Sequence, residues 1–123
     1  MEKIELVAGL NESAHRIYKA NAEKGFWDKE RNVGEMLMLV VSELGEAMEA
    51  HRKGLLTTNE DWLLYAATDD FKSNIKDKFE DEIADAIIRL LDMCGGLSIN
   101  IEEHIQHKVA YNQSREKFHG KKY

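Results

Sequence analysis

The alternation of apolar and polar residues is most regular between Asn32 and Lys53, where apolar positions recur every three or four residues and predict a helix. Asn32 is a good N-cap for this helix, and Gly54 follows as a stop. At 100° per residue, two carboxylates, Glu43 and Glu46, fall on the apolar face. The apolar residues of that face are Met36, Leu39, Val40, Ala47 and Ala50. Because an unpaired carboxylate is costly to bury, the rest of the chain has to supply a basic partner or a cation.

Helical periodicity also covers three other stretches of the chain. A first helix is predicted over 2–24, another long helix over 71–94, and a last helix that is capped by Asn100. Residues 55–70 are less regular, and they predict a short helix flanked by loops.

The predicted helix over 71–94 also carries acids on its apolar face, as does the helix predicted over 32–53, which we call the central helix. Its inward face carries two acids, Glu82 and Asp85, at a spacing of three residues. Arg89 lies one turn after Asp85 on the same face, so the two can pair and offset part of the charge. One arginine cannot neutralise four inward carboxylates.

Two large aromatic residues, Phe26 and Trp27, lie in the polar turn before the central helix. They have two interpretations. They staple the first helix to the second, or they form a wall for a planar ligand beside the acidic residues, which makes Trp27 a candidate substrate-binding residue.

The composition favours one all-α domain: an antiparallel bundle of about four main helices plus a short helix. The chain has 123 residues and no proline, and its charged residues, 33% of the total, are interleaved with apolar ones. A net charge of −6 argues against binding to a nucleic-acid polymer. The sequence has no apolar run long enough to cross a membrane and no signal-peptide pattern, so a cytoplasmic location is expected. The single cysteine, Cys94, excludes an internal disulfide and is expected to be a core residue.

Antiparallel packing of the two acidic helices would bring Glu43, Glu46, Glu82 and Asp85 to one level of the bundle. Ligation by carboxylate oxygens alone favours a hard cation, Mg²⁺ or Mn²⁺, that keeps water ligands and meets phosphate oxygens. The alternative is a set of structural salt bridges to lysines and to Arg89. A di-iron centre is disfavoured, because the Glu-x-x-His spacing of Glu12 and His15 occurs only once.

The two acidic motifs, Glu43-Leu44-Gly45-Glu46 and Glu82-Ile83-Ala84-Asp85, together resemble the ExxE and ExxD pair of the MazG-like all-α nucleoside triphosphate pyrophosphohydrolases, a superfamily that includes the dimeric dUTPases. The flanks GFWDKERNVGEMLMLVVSELGEAMEA and KVAYNQSREKFHGKKY are also similar to those of small MazG-like proteins. The chain departs from the family pattern between the motifs, where 35 residues separate Glu46 from Glu82.

The resemblance implies an activity and a set of roles. The substrate would be an NTP or dNTP, cleaved to the monophosphate and pyrophosphate, and one role for such an activity is housecleaning of the nucleotide pool. The four acids of the motifs would bind Mg²⁺, and Lys108, Asn112 and Arg115 would hold the phosphates. Glu43 or Glu46 could accept the proton of the attacking water, and the sequence does not choose between them.

The central helix also predicts a homo-oligomer, either a dimer or a dimer of dimers. Its side opposite the carboxylates is apolar as well, and a single small chain has few elements to cover both sides. The residues of this second face are Leu37, Val41, Leu44 and Met48. The alternative function is a non-catalytic helical binding or regulatory module, in which the acids form structural salt bridges.

Overall fold

A computed structural model describes residues 9–115, and all regular structure within that range is helical. The all-α prediction is therefore confirmed. Six helices follow one another in this part of the chain: α1 Leu10–Glu23, α2 Val33–Arg52, α3 Asn59–Thr68, α4 Phe71–Asn74, α5 Phe79–Gly96 and α6 Ile101–Ser114. None of them is both long and apolar enough to span a membrane.

Helix α5 is the centre of the fold, because both α1 and α2 pack along it. It runs antiparallel to α2: the ring of His51 near the end of α2 meets Phe79 at the start of α5, and Arg31, just before α2, meets Asp92 near the end of α5. The buried cluster between α1 and α5 consists of Ala14, Ile17, Leu91 and Cys94. Burial raises the pKa of the Cys94 thiol, which agrees with its predicted place in the core.

Close approach of α1 and α5 depends on a glycine. A Cβ atom added to Gly95 would lie 2.5 Å from the carbonyl oxygen of Ala14, a distance that backbone atoms do not tolerate. The sequence predicts a helix that ends at 94, before Gly95 and Gly96, whereas α5 includes both glycines. Packing against α1, rather than helix termination, accounts for Gly95.

The predicted N-caps are present. The side chain of Asn32 accepts a hydrogen bond from the Glu35 backbone N–H, and Asn100 accepts one from Glu103 at the start of α6. Thr58 and Asp61 form a full capping box at the start of α3, so the short helix between loops is also confirmed.

The prediction of a single helix over 71–94 is wrong, because α4 ends at Asn74 and α5 begins only at Phe79. Asp77 adopts a left-handed conformation with φ of 68°, and its backbone N–H donates to an Asp81 carboxylate oxygen at 2.9 Å. This bond replaces a helical one and starts α5 afresh. The first predicted helix, over 2–24, begins at Leu10 in the described part of the chain, and residues 1–8 lie outside it.

Candidate metal centre

Three of the four predicted carboxylates meet where α2 crosses the first half of α5. One oxygen each from Glu43, Glu82 and Asp85 lies within 4.8 Å of the other two, which is close enough for all three to bind one ion. The spacing of three residues puts Glu82 and Asp85 on one face of α5, and the antiparallel α2 brings Glu43 opposite them. We call these three residues the acidic cluster.

Glu82 is the most confined member of the cluster. It is only 5% exposed, and its Oε2 atom has no hydrogen-bond partner among the described residues. Burial raises the pKa of Glu82 to about 8, and the neighbouring carboxylates of Glu46 and Glu43 add to the increase. A buried oxygen without a donor is the arrangement that a bound cation would satisfy.

Asp85 shares this environment to a lesser degree. Its pKa is raised chiefly by burial, and further by the charges of Asp81 and Glu43, while Arg89 acts in the opposite direction. The pKa values of two clustered carboxylates are therefore both raised when no cation is bound. A divalent cation would reverse these shifts, because it stabilises the ionised forms.

Arg89 does not bond Asp85 as the sequence predicted. Its Nε–H instead donates to Glu43 Oε1 across the helix interface at 3.0 Å, and the Glu43 side chain is 12% exposed. The spacing of four residues would allow a pair with Asp85, but the carboxylate of Glu43 on the facing helix accepts the hydrogen bond instead. Part of the salt-bridge alternative is thus present within the cluster itself.

Glu46 lies beside the cluster rather than in it. Its carboxylate is close enough to Glu82 to raise the pKa of that group, yet Glu46 is exposed and is not one of the three grouped ligands. Glu46 is therefore a solvent-exposed neighbour of the cluster.

A second acidic group, which the sequence analysis missed, also includes Glu82. Its other members are Asp77 and Asp81, with oxygens again within 4.8 Å of one another. Asp77 is exposed and is paired with Lys76 Nζ at 3.0 Å, so the group is already partly neutralised. The signal was the run Asp81-Glu82 with Asp77 four residues earlier, which the predicted continuous helix obscured.

Trp27 is held by several contacts at the end of α5. Its ring packs edge-on against Tyr18, and its indole N–H donates to Asp92 Oδ1 at 3.0 Å. The other Asp92 oxygen accepts from Arg31 at 3.2 Å, and Asp92 is 6% exposed. Trp27 therefore links α1 to the end of α5, rather than α1 to the following helix α2 as the stapling interpretation has it. The sequence signal for Asp92 was its spacing from Glu82, Asp85 and Arg89, which puts another charge on the inward face of α5.

A cavity of about 290 Å³ opens beside the acidic cluster and is where a ligand could approach it. Phe26, rather than Trp27, supplies its aromatic wall. Charged groups of both signs line the rest of it. They are Arg31, Glu43, Asp85, Arg89 and Asp92, and the remaining lining residues are Asn21 and Ile88.

The predicted phosphate-binding residues lie elsewhere in the chain. Lys108, Asn112 and Arg115 belong to α6 or follow it, α6 packs against α1, and none of the three lines this cavity. The charged groups of Lys108 and Arg115 lie 5.2 and 5.3 Å from the ring centroid of Tyr111. Lys108 and Arg115 thus lie together around Tyr111, and neither reaches the cavity beside the acidic cluster of its own chain.

Without divalent cations, the raised pKa of Glu82 makes stability depend on pH. The folded state keeps the proton up to about pH 8, whereas the unfolded side chain releases it near 4.5. The stability that protonated Glu82 contributes to the folded state is therefore complete below pH 4.5 and is lost as the pH rises through 8. In EDTA we expect the melting temperature of the parent to fall relative to that of Glu82→Gln over this interval. Parallel profiles for the two proteins would contradict the environment described for Glu82.

Comparison with known proteins yields no relative: no family model matches the chain, and no curated protein or solved structure matches it significantly. What this arrangement can do chemically follows from its donors. Three carboxylates, one of whose oxygens has no hydrogen-bond partner among the described residues, could hold a hard metal cation, which prefers oxygen ligands.

Proposed function

We propose that the protein is a Mg²⁺-dependent nucleoside triphosphate pyrophosphohydrolase of the MazG-like class, which converts an NTP or dNTP to the monophosphate and pyrophosphate. The observation that carries the proposal is a buried Glu82 oxygen, within a cluster of three carboxylates, that has no hydrogen-bond partner in residues 9–115. Burying an ionised carboxylate is costly unless a ligand offsets its charge, and a bound cation would allow Glu82 to be ionised at neutral pH. The resemblance of both acidic motifs and their flanks supplies the reaction.

In the proposed mechanism, Glu43, Glu82 and Asp85 hold the metal ion. Bound there, Mg²⁺ would polarise phosphoryl oxygens and offset the charge that develops in an in-line displacement. Glu46, which is exposed and is not one of the three ligands, would accept a proton from the attacking water. Phe26 at the cavity wall offers an apolar surface for the base. No covalent nucleophile is required.

Oligomerisation belongs to this proposal for two reasons. Much of the apolar surface is exposed in a single chain, including the α2 stripe of Leu37, Val41, Leu44 and Met48. In addition, the basic residues of α6 do not reach the cavity of their own chain. A second copy that packs on α2 would cover the stripe and could bring its own α6 to the acidic cluster.

The test of the activity is a panel of the eight common NTPs and dNTPs with Mg²⁺, in which released pyrophosphate is measured. We expect at least one nucleotide to be cleaved, and EDTA to stop the reaction. Glu49→Gln is a matched control, since Glu49 is an exposed acid on the same helix α2 and, in the described part of the chain, pairs with neighbouring Arg52 and Lys53 alone. This variant should keep full activity, whereas Glu46→Gln should lose most of it.

The second candidate function, a non-catalytic helical module, is favoured by one observation: the Arg89 pair with Glu43 already neutralises part of the cluster. In that case the acids would serve structure alone. The panel would then release no pyrophosphate from any nucleotide, and Mg²⁺ would leave the melting temperature unchanged.

A role for α6 in phosphate binding predicts the behaviour of Arg115→Ala. Because Arg115 contacts only the Tyr111 ring and its own helix end in the described part of the chain, its removal should shift the melting temperature by no more than a few degrees. We expect kcat/KM to fall at least about tenfold, equivalent to roughly 1.4 kcal/mol of transition-state stabilisation. A strongly destabilised variant with full activity per folded molecule would contradict the assignment.

Complementation tests whether a second copy supplies α6. Mixing Arg115→Ala with Glu82→Gln under conditions that exchange subunits would create sites with intact acids from one chain and an intact Arg115 from the other. Activity above that of either variant alone is the expected result. If each chain supplied both groups to its own site, mixing would restore nothing.

A further inference from the structure

Two guanidinium groups, those of Arg31 and Arg89, line the cavity beside the acidic cluster, and they are held in different ways. Arg31 donates to Asp92 and lies 5.0 Å from the ring centroid of Trp27. Asp92 is buried, is not one of the clustered ligands and also accepts a bond from Trp27. Arg31 is therefore held by Asp92 and Trp27, neither of which belongs to the group of residues that could bind the metal ion.

Arg89 is held by Glu43, a residue that would itself bind the metal ion. Its one hydrogen bond among the described residues runs from Nε to Glu43 Oε1 at 3.0 Å, and Glu43 is a member of the acidic cluster. The Arg89 side chain is 39% exposed at the cavity, and its two Nη groups donate to no residue within 9–115. Most of its donors thus remain available to a ligand in the cavity.

Arginine and metal ion compete for the same carboxylate. Arg89 bonds one oxygen of Glu43, so an ion bound by Glu43 would share that carboxylate with the guanidinium, and two cations beside one carboxylate repel each other. A guanidinium displaced from Glu43 keeps its planar set of N–H donors, which matches the geometry of phosphate oxygens. The polyphosphate of a metal nucleotide would bring those oxygens into the same cavity.

We propose that Arg89 is the resident counterion of the acidic cluster and transfers from Glu43 to the phosphate chain when a metal nucleotide binds. The proposal rests on the proposed function for its ligand, a nucleoside triphosphate with a divalent cation. Arg89 is accordingly a substrate-binding residue as well as a structural ion pair. Its first partner holds Glu43 in place before the metal ion arrives.

The test measures binding rather than turnover, by calorimetry of folded protein, first with Mn²⁺ alone and then with an α,β-imido analogue of the preferred nucleotide plus Mg²⁺. Arg89→Gln removes the competitor, so Mn²⁺ should bind at least about fivefold more tightly, the lower end of ordinary coupling between two ligands. The analogue should bind at least about tenfold more weakly, since a charged phosphate contact is lost.

Two further variants separate charge, fork geometry and cavity. Arg89→Lys keeps the charge but not the planar fork, so it should bind Mn²⁺ like the parent and the analogue weakly. The double variant Arg31→Gln with Asp92→Asn removes the other ion pair of the same cavity without changing net charge. Its Mn²⁺ affinity should stay within about twofold of the parent, well below ordinary coupling between sites.

The outcomes are distinguishable. If the parent binds the analogue and Arg89→Gln changes neither affinity, Arg89 is a static salt bridge and the inference is overturned while the proposed function stands. If Arg89→Gln tightens Mn²⁺ but binds the analogue like the parent, the transfer to phosphate is overturned. A parent that binds Mn²⁺ but no analogue overturns the proposed function, and the transfer fails with it.

Discussion

Glu82→Gln should abolish the Mg²⁺-dependent release of pyrophosphate while leaving the fold intact. Glu82 is buried at the centre of the acidic cluster, and an amide keeps its shape but supplies neither the charge nor the second carboxylate oxygen. We expect kcat/KM to fall at least about a thousandfold, equivalent to roughly 4 kcal/mol of transition-state stabilisation. This is the largest effect expected of any conservative substitution in the chain.

The same variant separates a metal site from a structural network. Mg²⁺ should raise the melting temperature of the parent, because it binds the folded state and offsets the clustered charges, and Glu82→Gln should lose that increase. In EDTA at pH 9, where the parent has to bury an ionised Glu82, the variant should be the more stable protein. A variant that keeps both its activity and its response to Mg²⁺ would show that Glu82 is not a metal ligand.

Val41→Glu should convert the protein to a monomer of about 14.2 kDa by light scattering. Val41 lies in the middle of the α2 stripe and is 53% exposed in the single chain, so a charge there is solvated in a monomer but buried against a partner. Stability of the protomer should change by no more than about 0.5 kcal/mol, as for ordinary surface positions. Because the proposed site takes α6 from a second copy, most of the activity should be lost as well.

Asn59→Glu provides the matched control for this experiment. It adds the same charge at an exposed polar position at the start of α3, a helix that takes no part in the proposed site, and should leave the mass unchanged. A parent protein that is already monomeric at micromolar concentration would refute the oligomer, as would an unchanged oligomeric mass for Val41→Glu.

The acidic cluster was predictable because it depends on helix periodicity and one packing step. A spacing of three residues puts Glu82 and Asp85 on one face whatever the surroundings, and an antiparallel neighbour brings Glu43 opposite them. The inward charge was the informative signal. Apolar residues at the same positions would have indicated only a core.

The break before α5 was not predictable in the same way. Ile75 and Phe79 keep the spacing of four residues that indicates a continuous helix, yet they lie on either side of the turn. The break depends on a left-handed Asp77 and on its backbone bond to the Asp81 side chain. Aspartate is compatible with both helix and turn, so periodicity outweighed this local alternative.

The partner of Arg89 and the position of α6 depend on tertiary register. Local spacing offered Asp85, and only the relative placement of α2 and α5 gives Glu43 to Arg89 instead. On α6, Ile105 and Val109 lie four residues apart and form an apolar edge, yet both side chains are exposed in the single chain. Sequence periodicity shows which face is apolar and does not show what covers it.

The most direct test of the central claim is ³¹P NMR of an equimolar mixture of NTPs and dNTPs, incubated with the protein and Mg²⁺ and then with EDTA as the control. The proposed function predicts that resonances of pyrophosphate and of nucleoside monophosphate grow together, only with Mg²⁺, and that Glu82→Gln produces neither. Unchanged triphosphate resonances after prolonged incubation with folded parent protein would contradict it. So would the appearance of a nucleoside diphosphate together with inorganic phosphate.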